Sequence, residues 1–194
     1  MYWTRPLWLV CAMAVGIAPA QVTETLVHSF TSPPAGANPY AGLMRDSAGN
    51  LYGTAGTGGA ENAGDVYKLD TTGRLTVLYS FTGGADGDNP SGGLIRDPSG
   101  NLYGSTFYGV GGGVVFKLDT AGHETVLYKF GASADGYSPN GGVIRDAAGN
   151  LYGTTFGGGK RNGVVVFKLK GAAAAERNSG PRLRLAFAFL QTLL

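Results

Sequence analysis

Three oxygen-bearing side chains, Asp86, Asp88 and Asn89, stand close together in Ala85-Asp-Gly-Asp-Asn89. A cluster of that kind could supply the carboxylate and carbonyl oxygens that a hard cation such as calcium requires. The stretch lacks the later glutamate of an EF-hand loop, its downstream counterpart keeps only Asp135-Gly136, and the upstream counterpart Ala35-Gly-Ala37 has no carboxylate. A plain turn is the favoured reading, calcium is the alternative, and no other cofactor is expected. A glycosidase would instead need two of Asp86, Asp88 and Asp135 to face each other about 5–10 Å apart across a cleft.

The remaining candidates for chemistry are sparse. His28 and His123 have no second His or Cys at ligand spacing, so neither points to a metal or to nucleophilic catalysis. Arg45-Asp46, Arg96-Asp97 and Arg145-Asp146 recur in step with one another, as groups that fix strand ends would; a catalytic pair would be needed only once. The runs Gly111-Gly-Gly113 and Gly157-Gly-Gly159 lack the Lys-Ser/Thr of a phosphate loop. No catalytic residue is assigned.

The elements that position these residues are written as a repeat. Glu24 to Phe30 returns as Leu75 to Phe81 and as Glu124 to Phe130; Asn50-Leu-Tyr-Gly-Thr54 returns at 101–105 and 150–154; Val66-Tyr-Lys-Leu69 returns at 115–118 and 166–169. Each copy holds four strand candidates: A (Leu94–Asp97), B (Asn101–Thr106), C (Val114–Leu118) and D (Thr76–Phe81), separated by tight-turn residues. In D, alternation would place Val77, Tyr79 and Phe81 on one face and Thr76, Leu78 and Ser80 on the other.

Four short antiparallel strands recurring about every 50 residues indicate an all-β, β-propeller-like array of about three four-stranded blades, because one blade cannot bury both its faces alone. Glu24 to Phe30 is a D strand ahead of any A, B or C, and is expected to complete the last blade. Three blades fall below the usual four to eight. Either two chains combine, the ring stays open, or the chain is part of a longer array.

Spacing separates the two rims. The step from the D-strand Phe to the A-strand Arg is 15 in all three copies, whereas Tyr52 to Tyr67, Tyr103 to Phe116 and Tyr152 to Phe167 vary. The D-to-A and B-to-C loops share one rim, which is glycine-rich and variable, the usual place for binding residues on a rigid scaffold. Asp86, Asp88, Asn89, Tyr108, Asp135, Tyr137, Lys160 and Arg161 all fall there and form the candidate ligand face.

Residues 1–20 read as a secretory signal peptide: Arg5, an apolar stretch from Leu7 to Ile17, then Ala18-Pro-Ala20 as the cleavage site. The single cysteine, Cys11, lies inside it, so the mature chain would carry no thiol. The body, residues 21–170, has a net charge of −1 and lacks the basic footprint of a nucleic-acid binder. Residues 171–194 leave the pattern and are expected to form a disordered or short helical tail, its apolar end too short to span a membrane.

Gly-Asn-Leu-Tyr-Gly-Thr, Val-Phe-Lys-Leu-Asp, Thr-Val-Leu-Tyr-Ser-Phe and Asp-Gly-Asp-Asn-Pro ahead of Gly-Leu-Ile-Arg-Asp together resemble the GloVer tandem repeat of "choice-of-anchor" bacterial surface proteins. The Asp-x-x-Gly-Asn-Leu-Tyr hairpin is also similar to NHL-type blades. The resemblance implies a secreted, propeller-like protein held at the cell exterior, with no catalytic residue to carry over. The expected function is an exported binding or structural module with a glycan or surface-protein partner and scope for self-association through open blade edges. The alternatives are a carbohydrate-active hydrolase or lyase, or a fragment without independent function.

Overall fold

The computed structural model describes residues 22–30, 36–131, 135–159 and 163–171, and they form three antiparallel sheets without a helix. The first sheet runs β1 (Met44–Arg45), β2 (Leu51–Ala55), β3 (Asp65–Leu69), β4 (Leu75–Ser80), and the second β5 (Ile95–Arg96), β6 (Leu102–Thr106), β7 (Val114–Leu118), β8 (Glu124–Lys129). The third holds β9 (Tyr137–Arg145), β10 (Leu151–Gly157) and β11 (Val166–Leu169), and the strand order within every sheet follows the chain. The expected A, B and C strands are present in each sheet, with A reduced to two residues in the first two; the third lacks D among the described residues. The array is therefore propeller-like and open. Lys160, Arg161, the signal-peptide stretch expected at residues 1–20 and residues 172–194 lie outside the described residues.

The A-to-B turn explains the recurring Asp-x-x-Gly-Asn-Leu-Tyr. Asp97 accepts from the Asn101 amide and side chain, each at 2.9 Å, and from the Tyr103 hydroxyl at 3.0 Å; Asp46 and Asp146 repeat all three bonds. The chain reverses at Gly49, Gly100 and Gly149 with φ of 91, 94 and 82°, a region that side chains seldom adopt. The aspartates of the recurring Arg-Asp pairs are thus spent on closing the turn. In the opposite C-to-D turns, Asp70 and Asp119 accept the backbone amides two and four residues on.

A second regularity explains the glycine in Leu-Tyr-Gly. Gly53, Gly104 and Gly153 of the B strands pair with Tyr67, Phe116 and Phe167 of the C strands, whose rings fold across the bare backbone. A Cβ on these glycines would lie 2.7, 2.7 and 2.4 Å from the nearest ring atoms. The covering ring in turn meets the D-strand phenylalanine of the preceding copy: Phe30 on Tyr67, Phe81 on Phe116 and Phe130 on Phe167, with centroids 5.0, 5.1 and 5.0 Å apart. These edge-on contacts stack the sheets.

The core lies between sheets. Val66 and Phe81 of the first copy pack with Leu94, Leu102 and Phe116 of the second; Tyr103, Val115 and Phe130 of the second pack with Val143, Leu151 and Phe167 of the third. The second sheet is covered on both faces. The alternation expected in D is overturned by a β-bulge: Val66 pairs with Tyr79 while Tyr67 pairs with Val77, skipping Leu78. The same bulge in β8 leaves Val126 against the preceding sheet while Leu127, Tyr128 and Phe130 face the following one.

The expectation that Glu24 to Phe30 completes the last blade is also overturned. Among the described residues this stretch has no ladder partner, and it lies on the outer face of the first sheet with Phe30 against Tyr67. The last sheet stands at the far end of the stack, whereas the first offers an uncovered apolar face close by in sequence.

Candidate functional site

One open cleft of about 510 Å³ lies on the glycine-rich rim and draws on all three copies: Tyr40 from the first, Asn89, Ser91, Phe107 and Tyr108 from the second, Asn140 from the third. Tyr40, Ser91 and Asn140 hold the same place in the repeat, ten residues after the D-strand phenylalanine. That place follows a residue held at positive φ and then a proline: Asn38-Pro39, Asn89-Pro90 and Ser138-Pro139, with φ of 62, 56 and 55°. Asparagine tolerates this conformation better than most residues. The common kink gives the following side chain the same position in each sheet.

The D-to-A loop is anchored to the end of the B strand in each copy. Ala37 bridges Thr57, Asp88 bridges Tyr108, and Tyr137 pairs with Gly157. Asn89 is held further: its amide donates to Ala63 O, its carbonyl accepts from Phe107, and its side-chain nitrogen reaches Gly56 O at 3.1 Å. Its Oδ1 accepts no hydrogen bond among the described residues. The Ser91 hydroxyl donates to Asn140 Oδ1 at 3.2 Å, linking the second and third copies across the cleft floor.

Aromatic faces dominate the wall. Tyr40 and Tyr108 are exposed, Phe107 packs edge-on against Tyr108 at 4.6 Å, and the exposed Phe156 of the third copy lies 5.8 Å from Phe107. No lining residue carries a charge. An exposed aromatic row with amides and hydroxyls between its rings can stack on apolar C–H faces while exchanging hydrogen bonds with hydroxyl groups.

The structure separates the sequence-stated ligand face into distinct groups. Asn89 and Tyr108 line the cleft, and Asp88 sits beside Tyr108 through its backbone bridge. Asp86 and Asp135 occupy equivalent loops and are taken up locally. Asp86 accepts from the Tyr79 hydroxyl at 2.9 Å and from Thr82, and Asp135 from the Tyr128 hydroxyl at 2.7 Å and the Gly131 amide. Burial pulls the Asp86 carboxyl upward, but the Thr82 and Tyr79 donors outweigh it and hold it below the usual range. The Tyr128 hydroxyl does the same for Asp135, which is little buried. Two firmly ionised carboxylates, each closed within its own loop, do not form the facing pair with one raised pKa that a glycosidase uses. Tyr137 is half-buried beneath Gly157, whose Cβ would lie 2.5 Å from its ring. Among the described residues no three of His, Cys, Asp and Glu gather as a metal site would need.

Sequence reasoning missed Tyr40, Phe107, Ser91, Asn140 and Phe156. The signal was present in the D-to-A loop, whose length never changes while the residue ten after the phenylalanine is Tyr, Ser and Asn in turn. Constant length with changing chemistry marks a residue freed from structural duty, whereas the changing length of the B-to-C loop drew attention elsewhere.

The model of the Gloeobacter/Verrucomicrobia repeat matches residues 12–178. A search of the curated proteins finds no match. Among solved structures, an X-ray structure described as a gluconolactonase is similar at 21% identity and a TM-score of 0.39, covering 64% of this chain and 42% of that one.

Proposed function

The chain belongs to the Gloeobacter/Verrucomicrobia repeat family, and from that premise we propose that it is an exported binding module whose rim cleft takes a neutral oligosaccharide at the cell exterior. The observation that carries this reading is the cleft itself: an uncharged row of Tyr40, Phe107 and Tyr108 with Asn89, Ser91 and Asn140 set among the rings. A sugar ring offers an apolar face and a belt of hydroxyls, which match aromatic rings and planar amides respectively. The leader-like residues 1–20 support export. No helix among the described residues is long and apolar enough to cross a membrane. The carbohydrate-active enzyme alternative gains no support from Asp86 and Asp135, whose carboxylates are spent inside their own loops.

Calorimetric titration with soluble neutral hexasaccharides of glucose, xylose and N-acetylglucosamine tests the reading. At least one is expected to bind with Kd between about 10 μM and 1 mM, and Tyr108→Ala is expected to weaken it about tenfold, the value of one stacked ring. Asp86→Asn is expected to leave affinity unchanged. Binding confined to acidic sugars, or insensitivity to Tyr108→Ala, would overturn it.

A further inference from the structure

The two ends of the stack are halves of one interface. Between sheets, Leu94 and Val143 are 5% and 4% exposed, yet their equivalent in the first sheet, Leu43, is 52% exposed. On the opposite side of the interface, Val66 and Val115 are fully buried, yet their equivalent in the third sheet, Val166, is 78% exposed beside the exposed Ile144. The residues that meet between neighbouring copies are thus bare at the two ends of the described stack.

The strands are complementary as well. Among the described residues the third sheet has A, B and C strands and no D, and its β11 is an edge with an unpaired row of backbone groups. The Glu24 to Phe30 stretch has the D sequence and no A, B or C. It already occupies the D position relative to the first sheet. Phe30 stacks on Tyr67 as Phe81 does on Phe116, the neighbouring rings repeat at 5.1 Å (His28 on Phe30) and 5.1 Å (Tyr79 on Phe81), and the carbonyl of Val27 approaches Gly73 as that of Leu78 approaches Gly122. Leu26 is 80% exposed where its counterparts Val77 and Val126 are half-buried by their own sheets.

We propose that two copies of this chain close into a six-bladed ring, each donating Glu24 to Phe30 as the D strand of the other's third sheet. The register follows from the pairs already present: Val115 opposite Tyr128, Phe116 opposite Val126, Lys117 opposite Thr125 and Leu118 opposite Glu124. Translated by the repeat, Val166 of one copy faces His28 of the other, Phe167 faces Leu26, Lys168 faces Thr25 and Leu169 faces Glu24. Val166 and Ile144 then pack on Leu43 and Phe30 of the second copy, rebuilding the contact that joins the second and third sheets. Head-to-tail ends on one chain give closed assemblies only when the rotation closes. Three described blades lie below the usual four to eight and six lie within it, so two copies of the described array suffice for a ring.

The test uses the full chain in a Cys11→Ser background, so that introduced cysteines are its only thiols. Light scattering is expected to give twice the chain mass, and Val166→Lys, a change at an exposed position, to give a monomer with an unaltered near-ultraviolet dichroism spectrum. Register is tested with cysteine pairs, since directly opposed residues meet disulfide geometry. Thr25→Cys with Lys168→Cys is expected to yield a covalent dimer without reductant, and Thr25→Cys with Val166→Cys to yield at least tenfold less. A monomer at 100 μM, a dimer indifferent to Val166→Lys, or equal cross-linking in both registers would each overturn the proposal.

Discussion

Replacing Gly104 by alanine places a methyl group where the Phe116 ring already lies. The new Cβ would stand 2.7 Å from Phe116 Cζ, 3.0 Å from Cε1 and 2.9 Å from Leu94 Cδ2, well inside van der Waals contact. Neither neighbour can retreat freely, because Phe116 is fully buried against Phe81 and Leu94 is buried in the same cluster. Overpacking of this kind costs about 1–3 kcal/mol. Alanine recovers about 0.5–1 kcal/mol through the lost freedom of glycine in the unfolded chain, so the expected net loss is about 1–2 kcal/mol. Phe116→Leu alone leaves a cavity and costs about 1–2 kcal/mol. In the double variant the missing ring makes room for the methyl, and the two losses combine to less than their sum by at least 1 kcal/mol. Urea unfolding followed by far-ultraviolet dichroism, with unchanged m values, measures all three. Strict additivity, or Gly104→Ala at least as stable as the parent, would show that the ring does not require a bare backbone beneath it.

Other outcomes follow from the same geometry. Tyr103→Phe removes one hydrogen bond to the buried Asp97 and is expected to cost about 1–2 kcal/mol by thermal unfolding; Asp97→Ala also removes the two bonds from Asn101 and should cost more. Burial, reinforced by the Asp86 charge, pushes the Glu124 carboxyl up to about 7 from 4.5. Its protonated form is therefore favoured by the fold: the associated stability is complete below about pH 4.5 and declines as pH rises through 7. Glu124→Gln should flatten that decline and gain about 1 kcal/mol at pH 8 after allowance for solvent screening, a gain absent at pH 4. Calcium at 5 mM is expected to leave the melting temperature unchanged, since Asp86 already accepts from Thr82 and Tyr79; a rise of several degrees would reinstate the ion.

The legible part of this protein is what short-range chemistry decides. Asp97, Asn101 and Tyr103 close their hairpin within a few residues of chain, so the motif announces its own turn wherever it occurs. Likewise the C strands, β7 above all, fall where the sequence places them. The count of copies and their all-β character follow from that local regularity, because a repeated hairpin must repeat its partners. The β-bulge in D was invisible, since Val77, Leu78 and Tyr79 are all acceptable on either face and only the ladder decides which residue is skipped. The site was half legible. Asn89 and Tyr108 were named from a variable rim, but Tyr40, Ser91 and Asn140 come from loops 49–51 residues apart and meet only because stacked sheets bring equivalent positions together.

Residue order alone therefore determined the hairpins, the strand periodicity and the set of aromatic and glycine partners, all of which are settled by contacts within one copy. Tertiary structure alone decided which faces meet, which carboxylates are spent on their own loops, and where Glu24 to Phe30 lies. Those outcomes depend on burial between sheets, a gain proportional to the area each sheet removes from water, which exists only once neighbouring copies have stacked.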